Sequence, residues 1–212
     1  RRWRERFDGS PGALDEPGEP PGAAPAWRRS LGLGVIERTG GRARVRASAA
    51  RPNPGRTVYT TAWPSPDLAD LELAVRLPGR RWGEGEACRA GLAFWQDPDR
   101  YALVSLWLDD SRHHAGGAVT LHVVAGGREA KLDAAWANVG AALRWGEVHR
   151  LRAGCDGRWV LVRLDGRAVL ARNLDDVARG AAPLRLARVG VAVNEDWGND
   201  TGTELLELTA RG

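Results

Sequence analysis

Five residues between positions 89 and 122 have the types and spacing of a recognition surface: Arg89, Trp95, Tyr101, Trp107 and His122. Two apolar runs flank the polar, Pro-containing segment Asp97-Pro98-Asp99, the pattern of a β-hairpin. With Trp95 opposite Tyr101, Ala93 meets Leu103, Gly91 meets Ser105 and Arg89 meets Trp107. Strand side chains alternate between faces, so these residues share one face, with the small Gly91, Ala93 and Ser105 at its centre. If the run "VTLHVV" pairs next with Val119, Leu121 and Val123 inward, Thr120 and His122 join that face. A shallow floor rimmed by aromatics suits a pyranose, whose C–H faces stack on the rings while Arg, His and Ser hydrogen-bond its hydroxyls. Trp95, Tyr101 and Trp107 are therefore expected to form a solvent-reachable platform, with Arg89 and His122 beside it. The opposite face (Ala90, Leu92, Phe94, Ala102, Val104, Leu106, Leu108) is uniformly apolar and reads as core. In the competing reading the long N-terminal segment covers the rings, with Trp27 or Leu31 packed on them, because Trp is highly buried on average. A register slip of one residue would exchange the two faces.

Other polar clusters are weaker candidates. The loop "NEDWGND" offers Asn194, Asp196 and Asp200, with Glu195 and Asn199, as hard oxygen ligands that calcium would accept, although the spacing is not that of an EF-hand. "DDSRHHAGG" gathers Asp109, Asp110, His113 and His114, ligands a transition metal could use, but adjacent histidines at a loop tip are more often plain surface. Trp82 in "GRRWGEGEAC" either shapes a specificity loop or caps a sheet edge. No cofactor other than calcium is indicated. No Ser-His-Asp or Cys-His arrangement can be argued, and no Gly-rich phosphate loop precedes a helix.

These side chains need a scaffold, and the chain supplies strands. From residue 33 onward short β-like runs recur at the 8–12-residue spacing of an all-β sandwich or barrel. Turn signals separate them, among them Asp156-Gly157 and Asp165-Gly166, the strongest local hairpin signal. Only 173–183, "NLDDVARGAAP", has a plausible helical turn. The Pro/Gly-rich stretch at about 9–26 can hold neither a helix nor a central strand and reads as surface loop. One domain spanning 1–212 is expected, and 43% hydrophobic with 27% charged residues lies in the ordinary globular range.

The net charge of +4 and pI of about 9.8 come almost wholly from arginines scattered singly, with Lys131 the only lysine. Tyr and Phe number two each, too few for the stacking platforms of single-strand binders, so no specific nucleic-acid partner is expected. No apolar run reaches membrane-spanning length. A chain that begins without Met is read here as a mature or trimmed product. Cys88 and Cys155 are either one disulfide of a secreted protein or two small buried hydrophobes.

The order of elements resembles the concanavalin A-like lectin/glucanase group, which includes laminin-G-like jelly rolls. The resemblance rests on "GLAF…D…YALVSL", then "WGEVHRLRAGCDGRWVLVRLDGRAVL" and the closing "VGVAVNEDWGNDTGTELLEL". It covers nearly the whole chain and implies a two-sheet antiparallel β-sandwich, with the first strand closing beside the last. It further implies a carbohydrate-binding, lectin-like module of a secreted or cell-surface protein, with a glycan or polysaccharide as partner. The alternatives on the same fold are a glycoside hydrolase or polysaccharide lyase, and a structural adhesion module. Retaining glucanases of this group carry carboxylates alternating on one strand, and such hydrolysis needs two about 5 Å apart. Glu204 and Glu207, three residues apart, are expected on opposite faces, and Glu84 and Glu86 share a parity only in a Gly-rich loop. His149, in "VHRLR", is expected to be a strand residue rather than a base.

Overall fold

Residues 159–164, Trp-Val-Leu-Val-Arg-Leu, alternate exposed and buried side chains along one strand, and this period of two organises most of the chain. The computed structural model describes residues 2–16, 26–46, 56–77, 87–109, 117–129, 136–179, 182–194 and 202–212. The strands are β1 (Arg2–Glu5), β2 (Gly12–Ala13), β3 (Arg28–Leu31), β4 (Val35–Arg38), β5 (Ala43–Arg46) and β6 (Arg56–Ala62). They continue with β7 (Ala69–Arg76), β8 (Ala87–Asp97), β9 (Arg100–Asp109), β10 (Gly117–Ala125), β11 (Arg128–Glu129) and β12 (Trp136–Asn138). The last are β13 (Val148–Cys155), β14 (Trp159–Leu164), β15 (Arg167–Asn173), β16 (Arg188–Asn194) and β17 (Glu204–Arg211). The helical turn expected within 173–183 is α1 (Leu174–Val177), capped by the Asn173 side chain, which accepts from the Asp175 N–H at 2.9 Å.

Two antiparallel sheets face each other, as expected for the jelly roll. Sheet I runs β15-β14-β13-β7-β17-β5-β4-β2, and sheet II runs β11-β10-β9-β8-β16-β6-β3, with β12 beside β10. In sheet I, β1 pairs with β17 from Arg2↔Arg211 to Glu5↔Leu208, so the first strand closes on the last. Between the sheets lies one core: Leu71, Leu73, Val75, Leu151, Ala153 and Leu208 from sheet I meet Leu92, Phe94, Val104, Leu106, Val119 and Val191 from sheet II. Fully burying each such aliphatic or phenyl group is worth about 1.5–3 kcal/mol, so the enclosed face, rather than the turns, supplies the stability. Among the described residues no helix is long and apolar enough to cross a membrane.

Turn chemistry sets the hairpins. Asp165 and Gly166 have φ of 47° and 83°, the two positive values that a two-residue turn between β14 and β15 requires. The Asp165 carboxylate is also a clamp. Its Oδ1 accepts the Arg150 N–H at 2.7 Å and its Oδ2 lies 2.8 Å from Nδ1 of the buried His149. His149 Nε2 accepts the Arg144 N–H at 3.2 Å, which puts the ring proton on Nδ1. His149 is thus a fully bonded strand residue in β13, as expected. Cys155 is a free thiol in the core, its pKa pushed up to about 12 mainly by burial. The disulfide alternative therefore falls, and Cys155 is the small hydrophobe. Cys88 pairs in register with Leu108, and its side chain lies outside the described residues, as do residues 17–25 of the Pro/Gly-rich stretch.

Gly91 in β8 has no room for a side chain: a Cβ there would sit 1.9 Å from the Val104 carbonyl oxygen and 2.6 Å from Ser105 Cα. Gly190 in β16 meets the same obstacle, 1.9 Å from the Tyr59 carbonyl oxygen. Glycine in these central strands reflects close backbone approach. Gly91→Ala should cost at least about 2 kcal/mol in urea unfolding, the scale of overpacking. Gly154→Ala, where a Cβ meets nothing within 4 Å, should stay within about 0.5 kcal/mol of the native protein.

Sheet I also holds two buried carboxylates, Glu5 and Glu204. Glu204 is 5% exposed and is gripped by Arg44, by Arg42 at 3.0 Å and by Arg76 at 3.2 Å. Burial alone would raise its pKa, but the hydrogen bond and charge of Arg44, with Arg42 and Arg76, outweigh burial and hold it below its ordinary value. A folded-state pKa below the unfolded one contributes stability that is complete above about pH 4.3 and disappears as pH falls through the folded value. Urea midpoints of the native protein should therefore drop between pH 4.3 and more acidic conditions. Glu204→Gln should lower the midpoint at pH 7 and flatten that acid limb.

Candidate functional site: the outer face of sheet II

The β8–β9 hairpin has the expected register, with Trp95↔Tyr101, Ala93↔Leu103, Gly91↔Ser105 and Arg89↔Trp107. β10 continues it through Thr120↔Ser105 and His122↔Leu103, while Val119, Leu121 and Val123 enter the core. The Pro98-Asp99 turn is tied by the Asp99 N–H donating to Asp97 Oδ1 at 2.9 Å. All five candidate residues thus fall on one face, the outer face of sheet II.

That face is not the open platform expected of it. Trp95 is 0% exposed, Tyr101 6% and His122 4%. Trp95 lies flat on Tyr101, ring centroids 4.6 Å apart and planes inclined by 14°, and Tyr101 sits 6.3 Å from the His122 ring. With Val58, Ala93, Leu103, Val124 and Ala192 they form a second apolar cluster, and Leu31 of β3 packs against it. The covering-residue reading is therefore right for Leu31 and wrong for Trp27. Trp27 instead enters the main core beside Trp3 and Phe7, its indole N–H donating to Glu5 Oε2 at 3.1 Å. The argument from small residues also fails at Gly91, whose missing side chain answers to the Val104 carbonyl and not to a ligand.

What remains open is the other end of the face. Trp107 is half-buried, with the Arg89 guanidinium 3.8 Å from its ring centroid, a cation–π contact. Trp136 on β12 also packs against it, edge-on at 4.4 Å, and its Nε1–H donates to Asn138 Oδ1 at 2.6 Å. Arg89, Ser105, Trp107 and Thr120 line a depression whose floor and far side are Leu103, Ala192, Val193 and Arg56. Its enclosed part measures about 30 Å³, room for roughly two waters, so a sugar ring would lie on the face rather than enter a pocket. Trp136 and Arg56 were missed in the sequence. Trp136 stands in a three-residue strand too short for a periodicity signal, and Arg56 reaches the site only because β6 is two strands from β8.

Of the calcium candidates, Asn194 adjoins this region through its backbone, which pairs with Arg89 and Arg56. The Asn194 side chain, Asp196 and Asp200 lie outside the described residues, as do Glu195, Asn199, Trp82, Glu84, Glu86, Asp110, His113, His114 and the Asp109 side chain. Among the described residues no group of three His, Cys, Asp or Glu side chains could hold a metal ion.

The carboxylate pair needs a correction. A bulge between Leu205 and Glu207 lets Glu204 pair with Arg76 and Glu207 with Ala74, two positions of the same parity. Glu204 and Glu207 therefore share the outer face of sheet I instead of opposing faces. Glu207 is bound by Arg4, and the pKa of Glu204 is lowered. A general acid for glycoside hydrolysis needs a raised pKa, so this pair is built as ion-pair anchors.

The sequence matches no protein-family model and no curated protein sequence. Solved structures do match its shape over nearly its full length. The carbohydrate recognition domain of Emp47p is similar at TM-score 0.57 and 12% identity, covering 98% of this chain and 96% of that one. The CBM2 module of the evolved Dit of Lactobacillus casei BL23 phage J-1 gives 0.59 and 13%, covering 99% and 96%. Carbohydrate binding module CBM66 from Bacillus subtilis gives 0.55 and 13%, covering 88% and 95%. The chain has the concanavalin A-like lectin fold, shared with lectin recognition domains and carbohydrate-binding modules.

The two tryptophans should separate on mutation. Trp95→Ala should cost about 3–5 kcal/mol, as a core Trp does. Trp107→Ala, half-buried at the open end, should cost under about 2 kcal/mol in the same denaturation assay.

Proposed function

We propose that this protein is a non-catalytic, lectin-like carbohydrate-binding module acting in a secreted or cell-surface setting. The observation that carries the reading is the open end of sheet II: Trp107, wedged between Arg89 and Trp136, borders Ser105 and Thr120 on an otherwise apolar floor. A half-buried indole offers a stacking surface, and a guanidinium, with its five N–H donors, is a group that suits sugar hydroxyls. The chain's likeness in fold to a carbohydrate recognition domain and a carbohydrate binding module supports the same class of ligand. Binding rather than turnover fits the carboxylates on the outer face of sheet I, since Asp70, Glu72, Glu204 and Glu207 are each locked to an arginine.

A glycan array run beside a reducing-sugar release assay tests this reading. The expected result is retention of a glycan without release of sugar. Trp107→Ala should weaken that retention at least tenfold, about 1.4 kcal/mol, with the fold intact. Sugar release by the native protein would establish an enzyme instead, and silence in both assays would favour a structural adhesion module.

A further inference from the structure

The outer face of sheet I is mostly a lattice of ion pairs: Arg150 with Glu72 at 3.1 Å, Arg4 with Glu207, Arg44 with Glu204. β14 interrupts it. Trp159 and Leu161, two residues apart on the same face, are 52% and 45% exposed. At Leu161, two residues along the strand from Trp159, lies a hollow of about 260 Å³, bounded by Asp70, Arg152, Gly154, Leu161 and Arg163. Gly154 stands directly opposite Leu161 and Asp70 across the neighbouring strands, and no atom comes within 4 Å of where its Cβ would be. The hollow is thus just below the roughly 300 Å³ at which ligand pockets begin, the size for a single ring.

Its charges do not balance. Arg152 and Arg163 are directly opposite each other, and like charges in that position destabilise a sheet. Asp70 answers Arg152 with a bidentate pair, Nε to Oδ1 at 2.8 Å and the terminal nitrogen to Oδ2 at 2.5 Å. Among the described residues Arg163 has no carboxylate partner, and its guanidinium donates to the Gly166 carbonyl at 3.3 Å. We infer that this hollow is a second binding site, for an anionic sugar unit: the ring lies against Trp159 and Leu161, and its carboxylate or sulfate takes the fork of Arg163. Asp70 and Arg152 then meet the ring hydroxyls. A guanidinium fork matches either anion in two parallel hydrogen bonds, and neutralising Arg163 removes the like-charge opposition. A protein partner fits less well, because a stable interface needs about 1,000 Å² around a charge-depleted core, and here the apolar patch is ringed by ion pairs. The site stands apart from sheet II and does not depend on the depression there.

Calorimetric titration with a galacturonate trimer, a sulfated galactose trimer and a neutral galactose trimer tests it. The native protein should bind an acidic trimer at least tenfold more tightly than the neutral one, and the two acidic arms tell carboxylate from sulfate. Arg163→Gln and Trp159→Ala, both on exposed residues, should each weaken that binding at least tenfold with unchanged urea midpoints, while Trp107→Ala leaves it intact. The inference is overturned if the acidic trimers do not bind, if Arg163→Gln and Trp159→Ala leave binding unchanged, or if only Trp107→Ala abolishes it. It is equally overturned if sedimentation shows a dimer that Trp159→Ala dissociates, which would make the patch an interface between copies.

Discussion

The stack of Trp95 on Tyr101 decides what the outer face of sheet II can be. A buried aromatic removes about 150–250 Å² from water, worth at most about 4–6 kcal/mol at 25 cal/mol per Å². Against this stands the Trp95 Nε1–H, buried with no acceptor among the described residues, at a cost of about 1–3 kcal/mol. Burial wins, so the stack closes one half of the face and turns β8, β9 and β10 into strands covered on both sides. β10 shows the result directly, with eight successive buried residues from Gly117 to Val124. Among the described residues, the less covered end of this face is where Arg89, Trp107 and Trp136 meet.

Much of this was written in the local sequence. Period-two alternation around Asp97-Pro98-Asp99 fixed the pairing of Trp95 with Tyr101 and carried it correctly to Thr120 and His122, because pleat and turn are properties of neighbouring residues. Asp165-Gly166 marked its turn because two positive φ values admit few residue types. Depth was not written there. Parity assigns a side chain to a face but does not say what packs over it, and Leu31 arrives from β3, more than 60 residues before Trp95 in the chain. Glu204 and Glu207 failed for a related reason: a bulge adds one residue to a strand without a composition signal, and every parity inference across it inverts.

The two outer faces solve opposite problems. Sheet I keeps its outer face wet by tiling it with guanidinium–carboxylate pairs. Exposed pairs of this kind contribute little to stability, about 0–1 kcal/mol each, and their effect is to keep the face soluble and to hold the long side chains in place. Glu204 is the exception, since it is buried and removing its charge would leave three guanidiniums facing one another. Sheet II buries its outer aromatics instead.

That contrast gives the exposed aromatics different meanings. An indole among ion pairs is not hidden by its surroundings, because charged neighbours bond to each other and leave it in water; Trp159 is left more than half exposed for this reason. An indole within an apolar cluster is drawn under it, as Trp95 is. Trp107 lies between these cases. Arg89 over one face of its ring supplies the charge that keeps this edge hydrated, and Trp136 supplies the packing that keeps the ring fixed. A fixed, half-exposed ring has little conformational entropy left to lose when a ligand stacks on it, and this preorganisation favours recognition at the end of sheet II over recognition anywhere on its buried middle.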